Sequence, residues 1–150
     1  MNRKIYWLLG AGVAWVAYRA YYSYKNLKYR FTNVKFVKAQ GSVVTLSVDF
    51  EIYNPTAITL NIGQLKAGLF LQNTQVGNIV YDCNTNMMSK AVSIYPITIE
   101  IDTQKVIKTS WDLLATSTLQ QWTLTIAGSL QVEKKTIPVR FDYPLSKLTV

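Results

Sequence analysis

The 150-residue chain contains no histidine and only one cysteine, Cys83. Without histidine, the chain lacks the usual base of Ser-His-Asp and Cys-His nucleophile pairs and the imidazole ligand of common zinc sites. A single cysteine excludes a disulfide within the chain. We therefore expect the protein not to be an enzyme and to have no metal site and no cofactor. We expect Cys83 to be a free or buried thiol in a loop.

Charged residues are also scarce, because they make up 16% of the chain against 49% for hydrophobic residues. This composition is too apolar for a disordered chain and low in charge for a soluble one. The length fits one ordinary domain, which is large enough to bury a core.

Acidic residues are absent from the first 38 positions, so the whole net charge of +8 belongs to this part of the chain. Its basic residues are Arg3, Lys4, Arg19, Lys25, Lys28, Arg30, Lys35 and Lys38. Such a shift in composition marks a boundary between two physical environments. We predict an N-terminal hydrophobic and basic segment over residues 1–31 and a body over residues 32–150.

Residues 5–18 form an uncharged apolar run. As a helix this run is about 21 Å long, which is short of the roughly 30 Å hydrocarbon core of a bilayer. Extension to Tyr24 includes Arg19, whose side chain can reach the headgroups from one end of the helix. We predict an N-terminal hydrophobic α-helix that anchors the chain in a membrane as an uncleaved signal anchor. The main alternative is an amphipathic helix buried in a large assembly.

Tyrosine and tryptophan accompany the basic residues of this segment. Three partners suit such side chains: anionic lipid headgroups, a neighbouring protein subunit and single-stranded nucleic acid. Adjacency to the apolar run favours membrane lipid, and nucleic acid is the least favoured. The predicted anchoring or interface residues are Trp7, Trp15, Arg19, Tyr21, Tyr22, Lys25, Lys28 and Arg30.

After Ser42 the hydrophobic period becomes two, which predicts a strand over residues 42–53 with one face on a core. The predicted core residues are Val44, Leu46, Val48, Phe50 and Ile52. Asp49 and Glu51 lie on the other face, where we expect a solvated surface rather than a catalytic or calcium-binding pair. Asn54 and Pro55 end the strand as a structural turn. The other predicted strands are 33–38, 57–62, 66–72, 76–81, 92–101, 121–132 and 136–143, and turns are expected at 41–42, 73–74, 84–86 and 133–135.

Residues 103–118 depart from the strand period, because Val106, Ile107, Trp111, Leu114 and Ala115 recur at helical spacing. We predict one amphipathic helix here, packed across an open end of the sheets. The predicted fold is therefore mainly β: an immunoglobulin-like antiparallel β-sandwich with one packed helix, preceded by the N-terminal hydrophobic α-helix.

The order of segments in the body resembles the late embryogenesis abundant group 2 family, also called the WHy domain. The resemblance rests on the strand that ends in Asn54-Pro55, on the segments 58–62, 65–71, 76–77 and 97–101, on a helix followed by residues 126–130, and on the closing Ile137-Pro138-Val139. It implies a small β-sandwich with one helix and no known catalytic centre. Members are linked to desiccation and stress tolerance, and many follow an N-terminal membrane anchor.

These features favour a non-enzymatic binding or structural module that is anchored in a membrane and has a protein partner. The alternative is an oligomeric structural subunit of a large assembly, such as a collar, tail or capsid-associated protein of a phage virion. In that case the N-terminal helix would be an interface arm against neighbouring subunits.

Overall fold

The protein is a mainly β structure made of two antiparallel sheets, as a computed structural model shows for residues 15, 26–102, 104–105 and 122–147. Seven strands follow one another along the chain, and a short 3-10 helix, Leu145–Lys147, comes after the last. The strands are β1 (Lys28–Gln40), β2 (Val43–Tyr53), β3 (Leu60–Leu71), β4 (Thr74–Met87), β5 (Val92–Asp102), β6 (Thr123–Val132) and β7 (Lys135–Pro144).

The strands divide into a three-stranded sheet, β1-β2-β5, and a four-stranded sheet, β4-β3-β6-β7. Lettered A to G in chain order, the sheets are A-B-E and D-C-F-G. The fourth strand thus lies beside the third, whereas immunoglobulin constant domains place it in the other sheet. The predicted β-sandwich is confirmed at the level of two antiparallel sheets around a common core.

The core forms where apolar side chains alternate along the strands and meet between the sheets. In β2, the side chains of Leu46, Val48, Phe50 and Ile52 are buried, so the predicted core face of this strand is confirmed. Val44, the fifth predicted core residue, is half-buried and packs against the same core. Residues of β3 and β6 face them from the other sheet, and all join one hydrophobic cluster. Thr45 departs from the prediction, because it is buried although it lies on the outer face of β2.

Three details of the strand prediction are wrong, and β-bulges explain them. The predicted strands 57–62 and 66–72 are one strand, β3, because a register shift after Ile62 accommodates Gly63 without ending the pairing. The turn predicted at 84–86 lies inside β4, where Asn84 has φ 41° beside a register shift. Asparagine tolerates positive φ in bulges as well as in turns, so the residue type alone predicted the wrong feature. Cys83 consequently lies in a strand and not in a loop.

Two predicted elements lie outside the described residues. These are the N-terminal hydrophobic helix, of which only Trp15 is described, and the packed helix over 103–118, of which only Gln104 and Lys105 are described; all three residues are helical. In the described part of the chain, no helix has the length and apolarity needed to cross a membrane. The domain boundary predicted after residue 31 falls within β1, which begins at Lys28.

The two central strands of the four-stranded sheet, β3 and β6, approach closely at Gly128. A Cβ atom there would lie 2.0 Å from the Lys66 carbonyl oxygen and 2.5 Å from the Ala67 Cα. Because these obstructing atoms belong to the backbone, we expect Gly128→Ala to lower the free energy of unfolding by roughly 1–3 kcal/mol. Urea denaturation measures the change.

The control for this substitution is Gly68→Ala. Its added Cβ would meet the far end of the Phe70 side chain at 2.7 Å, and that ring can move. The expected loss is therefore smaller than for Gly128→Ala. Equal losses would contradict the backbone clash.

Candidate functional site

The chain enters β1 from Asn26 and Leu27, at one end of the sandwich. In the three-stranded sheet, Lys28 pairs with Tyr53 and Tyr53 pairs with Val92, so the start of β1, the end of β2 and the start of β5 lie side by side. In the other sheet, Leu60 pairs with Met87, and Ile62 pairs with Val132. We call this end of the sandwich the entry end. It comprises residues 26–30, 51–62, 86–94 and 131–137.

The start of β1 and the residue before it are held firmly against the core. The side chain of Leu27 is buried in the core. The backbone N–H of Arg140 in β7 donates a hydrogen bond to the Tyr29 hydroxyl over 2.9 Å, which ties β1 to the other sheet. Phe31 stacks on Phe50 with ring centroids 4.7 Å apart. The core of the sandwich therefore already includes Leu27.

Two bulges in β1 place its basic side chains on one face of the sheet. Register shifts occur between Thr32 and Lys35 and between Phe36 and Lys38, and Asn33 in the first has φ 52°. Each shift inserts one residue and reverses the alternation of side chains. As a result, the side chains on the outer face of β1, opposite its core face, include those of Lys28, Arg30, Lys35 and Lys38.

A groove of about 280 Å³ lies on the outer face at the entry end. In it, the Arg30 guanidinium donates to the Glu51 carboxylate over 2.8 Å, so the charge of Glu51 is matched within the groove. Lys28 is exposed and has no ion-pair partner among the residues described. The groove is lined by Lys28, Tyr29, Arg30, Glu51, Tyr53 and Val92.

The loop between β2 and β3 is organised by Asn54, whose side chain is fully buried. Its Nδ2 donates to the carbonyl oxygens of Ile58, Met87 and Met88 over 2.8, 3.1 and 3.1 Å. Its Oδ1 accepts from the Thr56 backbone N–H and hydroxyl. Its backbone is hydrogen-bonded to Lys90 and Ala91. Asn54 thus joins the β2–β3 loop to the β4–β5 turn across the entry end.

Basic residues also occupy the turns of this end. Lys90 lies in the β4–β5 turn, where its Nζ donates to the Pro55 carbonyl, and Lys134 and Lys135 lie at the β6–β7 turn. Glu133 is the acidic residue of these turns, and its carboxylate accepts from the Asn61 backbone N–H. The entry end therefore contains five basic side chains (Lys28, Arg30, Lys90, Lys134 and Lys135) and two acidic ones (Glu51 and Glu133).

Large apolar side chains are exposed beside these charges. Met88 is 70% exposed in the β4–β5 turn, and Val92 and Ile94 are 55% and 57% exposed at the start of β5. Val92 lies on the same rung of the sheet as Lys28, about 10 Å away across two strand spacings. The entry end thus combines positive charge with exposed aliphatic surface.

The structure brings together only part of the predicted set of site residues. Lys28 and Arg30 lie in the groove, Asn54 and Pro55 form the adjacent loop, and Trp15 is an exposed helical residue. The remaining predicted anchoring residues lie outside the described part of the chain: Trp7, Arg19, Tyr21, Tyr22 and Lys25. The sequence interpretation missed Met88, Lys90, Ile94 and Lys134, because only the strand topology brings their separate segments to one end.

The groups once considered for chemistry lie elsewhere or are already paired. Burial, with a smaller contribution from the neighbouring Asp82 carboxylate, raises the pKa of the Cys83 thiol to about 11. That thiol is therefore protonated at neutral pH and a poor nucleophile. The Asp49 carboxylate accepts from Asn33 Nδ2 over 2.8 Å. Across the described ranges, no three His, Cys, Asp or Glu residues cluster as a metal site would require.

No family model matches the chain, and the search of curated proteins found no match. The fold, however, is similar to that of solved structures. The solution structure of the Arabidopsis thaliana protein AT1g01470 matches with a TM-score of 0.58 and 13% identity over 79% of this chain and 80% of that one. A crystal structure of a protein from Archaeoglobus fulgidus matches with a TM-score of 0.54 and 5% identity over 77% of this chain and 90% of that one. At such identities the similarity shows a shared fold alone.

Proposed function

We propose that this protein is a non-enzymatic binding or structural module, and that the hydrophobic helix predicted within residues 1–31 anchors it in a membrane. The observation that carries the proposal is the junction at the entry end, where Leu27 is buried in the core a short distance along the chain from the apolar run of residues 5–18. Leu27 is buried and Tyr29 is hydrogen-bonded to β7, so the sequence between the apolar run and the sandwich is no longer than the eight residues 19–26. A helix inserted in a bilayer would therefore hold the sandwich close to the membrane surface.

Membership in the late embryogenesis abundant group 2 family is part of this proposal. The two-sheet fold supports it, together with the strand that ends in Asn54-Pro55 and the closing Ile137-Pro138 segment. The outer faces of the sheets would then be available to a protein partner. The proposed location is the membrane.

Membrane flotation followed by alkaline carbonate extraction tests the anchor. The matched variant lacks residues 1–25 and keeps Leu27 and all of β1, so that its core is intact; far-ultraviolet circular dichroism checks its fold. We expect the full chain to float with vesicles and to resist carbonate, and the truncated chain to be recovered in the soluble fraction after carbonate treatment.

Two results would contradict the anchor. In the first, the full chain stays soluble or is released by carbonate. In the second, the full chain forms a defined oligomer without lipid, and the truncated chain is monomeric. The second result would favour the alternative function, a structural subunit of a large assembly such as a virion.

A further inference from the structure

We propose that the entry end of the sandwich is itself a contact surface for anionic lipid headgroups, separate from the N-terminal anchor. This inference rests on the proposed function, because the anchor would bring the surface to the bilayer. It names the bilayer component that the folded body recognises, a negatively charged phospholipid.

The entry end has a net positive charge. Its five basic side chains exceed its two acidic ones, and both acidic groups accept hydrogen bonds within the protein. The exposed side chains of Lys28 and Lys134 have no hydrogen-bond or ion-pair partner in the described ranges. Anionic membrane surfaces attract basic side chains within about one Debye length, roughly 8 Å at physiological ionic strength. The entry end therefore has charge available for headgroup phosphates.

The entry end also exposes large apolar side chains. Three of the large hydrophobic residues that are exposed in the described part of the chain, Met88, Val92 and Ile94, lie at this end. Aliphatic side chains next to basic ones are typical of surfaces that enter the interface between headgroups and acyl chains. A surface for single-stranded nucleic acid would not need exposed aliphatic side chains, because single strands bind through charge and aromatic stacking.

Two lysines in the turns of the entry end have a left-handed backbone conformation. Lys90 and Lys134 have φ 60° and 64°, in the left-handed region that glycine and asparagine adopt at lower cost. Basic side chains thus occupy two turn positions where the local conformation favours other residues. Such backbone strain in the turns of the entry end is consistent with a binding role for these lysines.

A fluorophore at position 94 tests the contact in the full chain. In the variant Ile94→Cys, the introduced thiol is exposed, whereas Cys83 is buried with a raised pKa and reacts poorly. The labelled protein is mixed with vesicles of phosphatidylcholine alone or of equal parts phosphatidylcholine and phosphatidylglycerol. We expect a blue shift and quenching by a lipid-attached quencher only with phosphatidylglycerol, and we expect high salt to reverse both.

Two controls locate the effect. A label at Val80→Cys, which is exposed on β4 in the other sheet, is expected to show no shift. The double variant Lys28→Gln/Lys134→Gln is expected to abolish the shift at position 94. The double variant Lys38→Gln/Lys66→Gln removes the same number of positive charges from exposed sites outside the entry end. This variant is expected to keep the shift at position 94.

The outcomes separate this inference from the anchor. If the full chain floats with both kinds of vesicle but the label at 94 responds equally to both, the lipid contact is wrong and the anchor stands. If the chain floats with neither, the anchor fails and the contact fails with it. A shift produced by a single-stranded oligonucleotide and not by anionic vesicles would also overturn the contact, in favour of nucleic acid.

Discussion

Replacing Asn54 with alanine is expected to lower the free energy of unfolding by roughly 3–5 kcal/mol, a loss that few single substitutions cause. The Asn54 amide donates to three carbonyl groups and accepts from both polar groups of Thr56. Alanine would leave these groups without their partner at a position that is fully buried. Each unsatisfied buried group costs about 1–3 kcal/mol, less where water can enter beside the loop.

Urea denaturation of the wild type and the variant measures this loss. The matched control is Asn86→Ala, which removes one exposed hydrogen bond, from Asn61 Nδ2 to Asn86 Oδ1 at 2.9 Å. We expect the control to change the free energy of unfolding by less than about 1 kcal/mol. Similar losses in the two variants would show that Asn54 does not hold the entry end together.

The second large effect is expected at Phe50, which is 0% exposed between the sheets. Its ring stacks on Phe31 at 4.7 Å and lies 6.2 and 6.4 Å from the rings of Tyr29 and Tyr95. Phe50→Ala removes a large buried side chain and leaves a cavity among these rings. We expect it to lower the free energy of unfolding by about 3–5 kcal/mol.

Thermal and urea unfolding of this variant are compared with those of Val37→Ala, since Val37 is an exposed apolar residue of β1. The control is expected to stay within about 0.5 kcal/mol of the wild type. An unchanged melting temperature for Phe50→Ala would contradict the assignment of this face of β2 to the core.

The sequence predicted the features that depend on local periodicity. The core face of β2 followed from an alternation that has no interruption between Val44 and Ile52, and the end of that strand followed from Pro55. Features that depend on backbone conformation were missed. Asn33 and Asn84 adopt positive φ within strands, and the pairing continues past them, so a residue that signals a turn marked a bulge instead.

The candidate site could be predicted only in part, for a different reason. Lys28 and Arg30 were recognised because they continue a basic segment. Met88, Lys90 and Lys134 belong to turns far apart in the sequence, and each is unremarkable in its own context. Their common position depends on which strands pair and in which direction, and hydrophobic periodicity contains no such information.

The irregular course of β1 also bears on how molecules behave when they are crowded. β1 is an edge strand of 13 residues, long enough to serve as a template for a strand from another copy. Its two bulges interrupt the regular spacing of backbone donors and acceptors, and its lysines would repel the same edge of a second molecule. Pro96 removes one backbone donor from β5, the other edge of that sheet. These two edges would keep neighbouring copies from merging their sheets into aggregates.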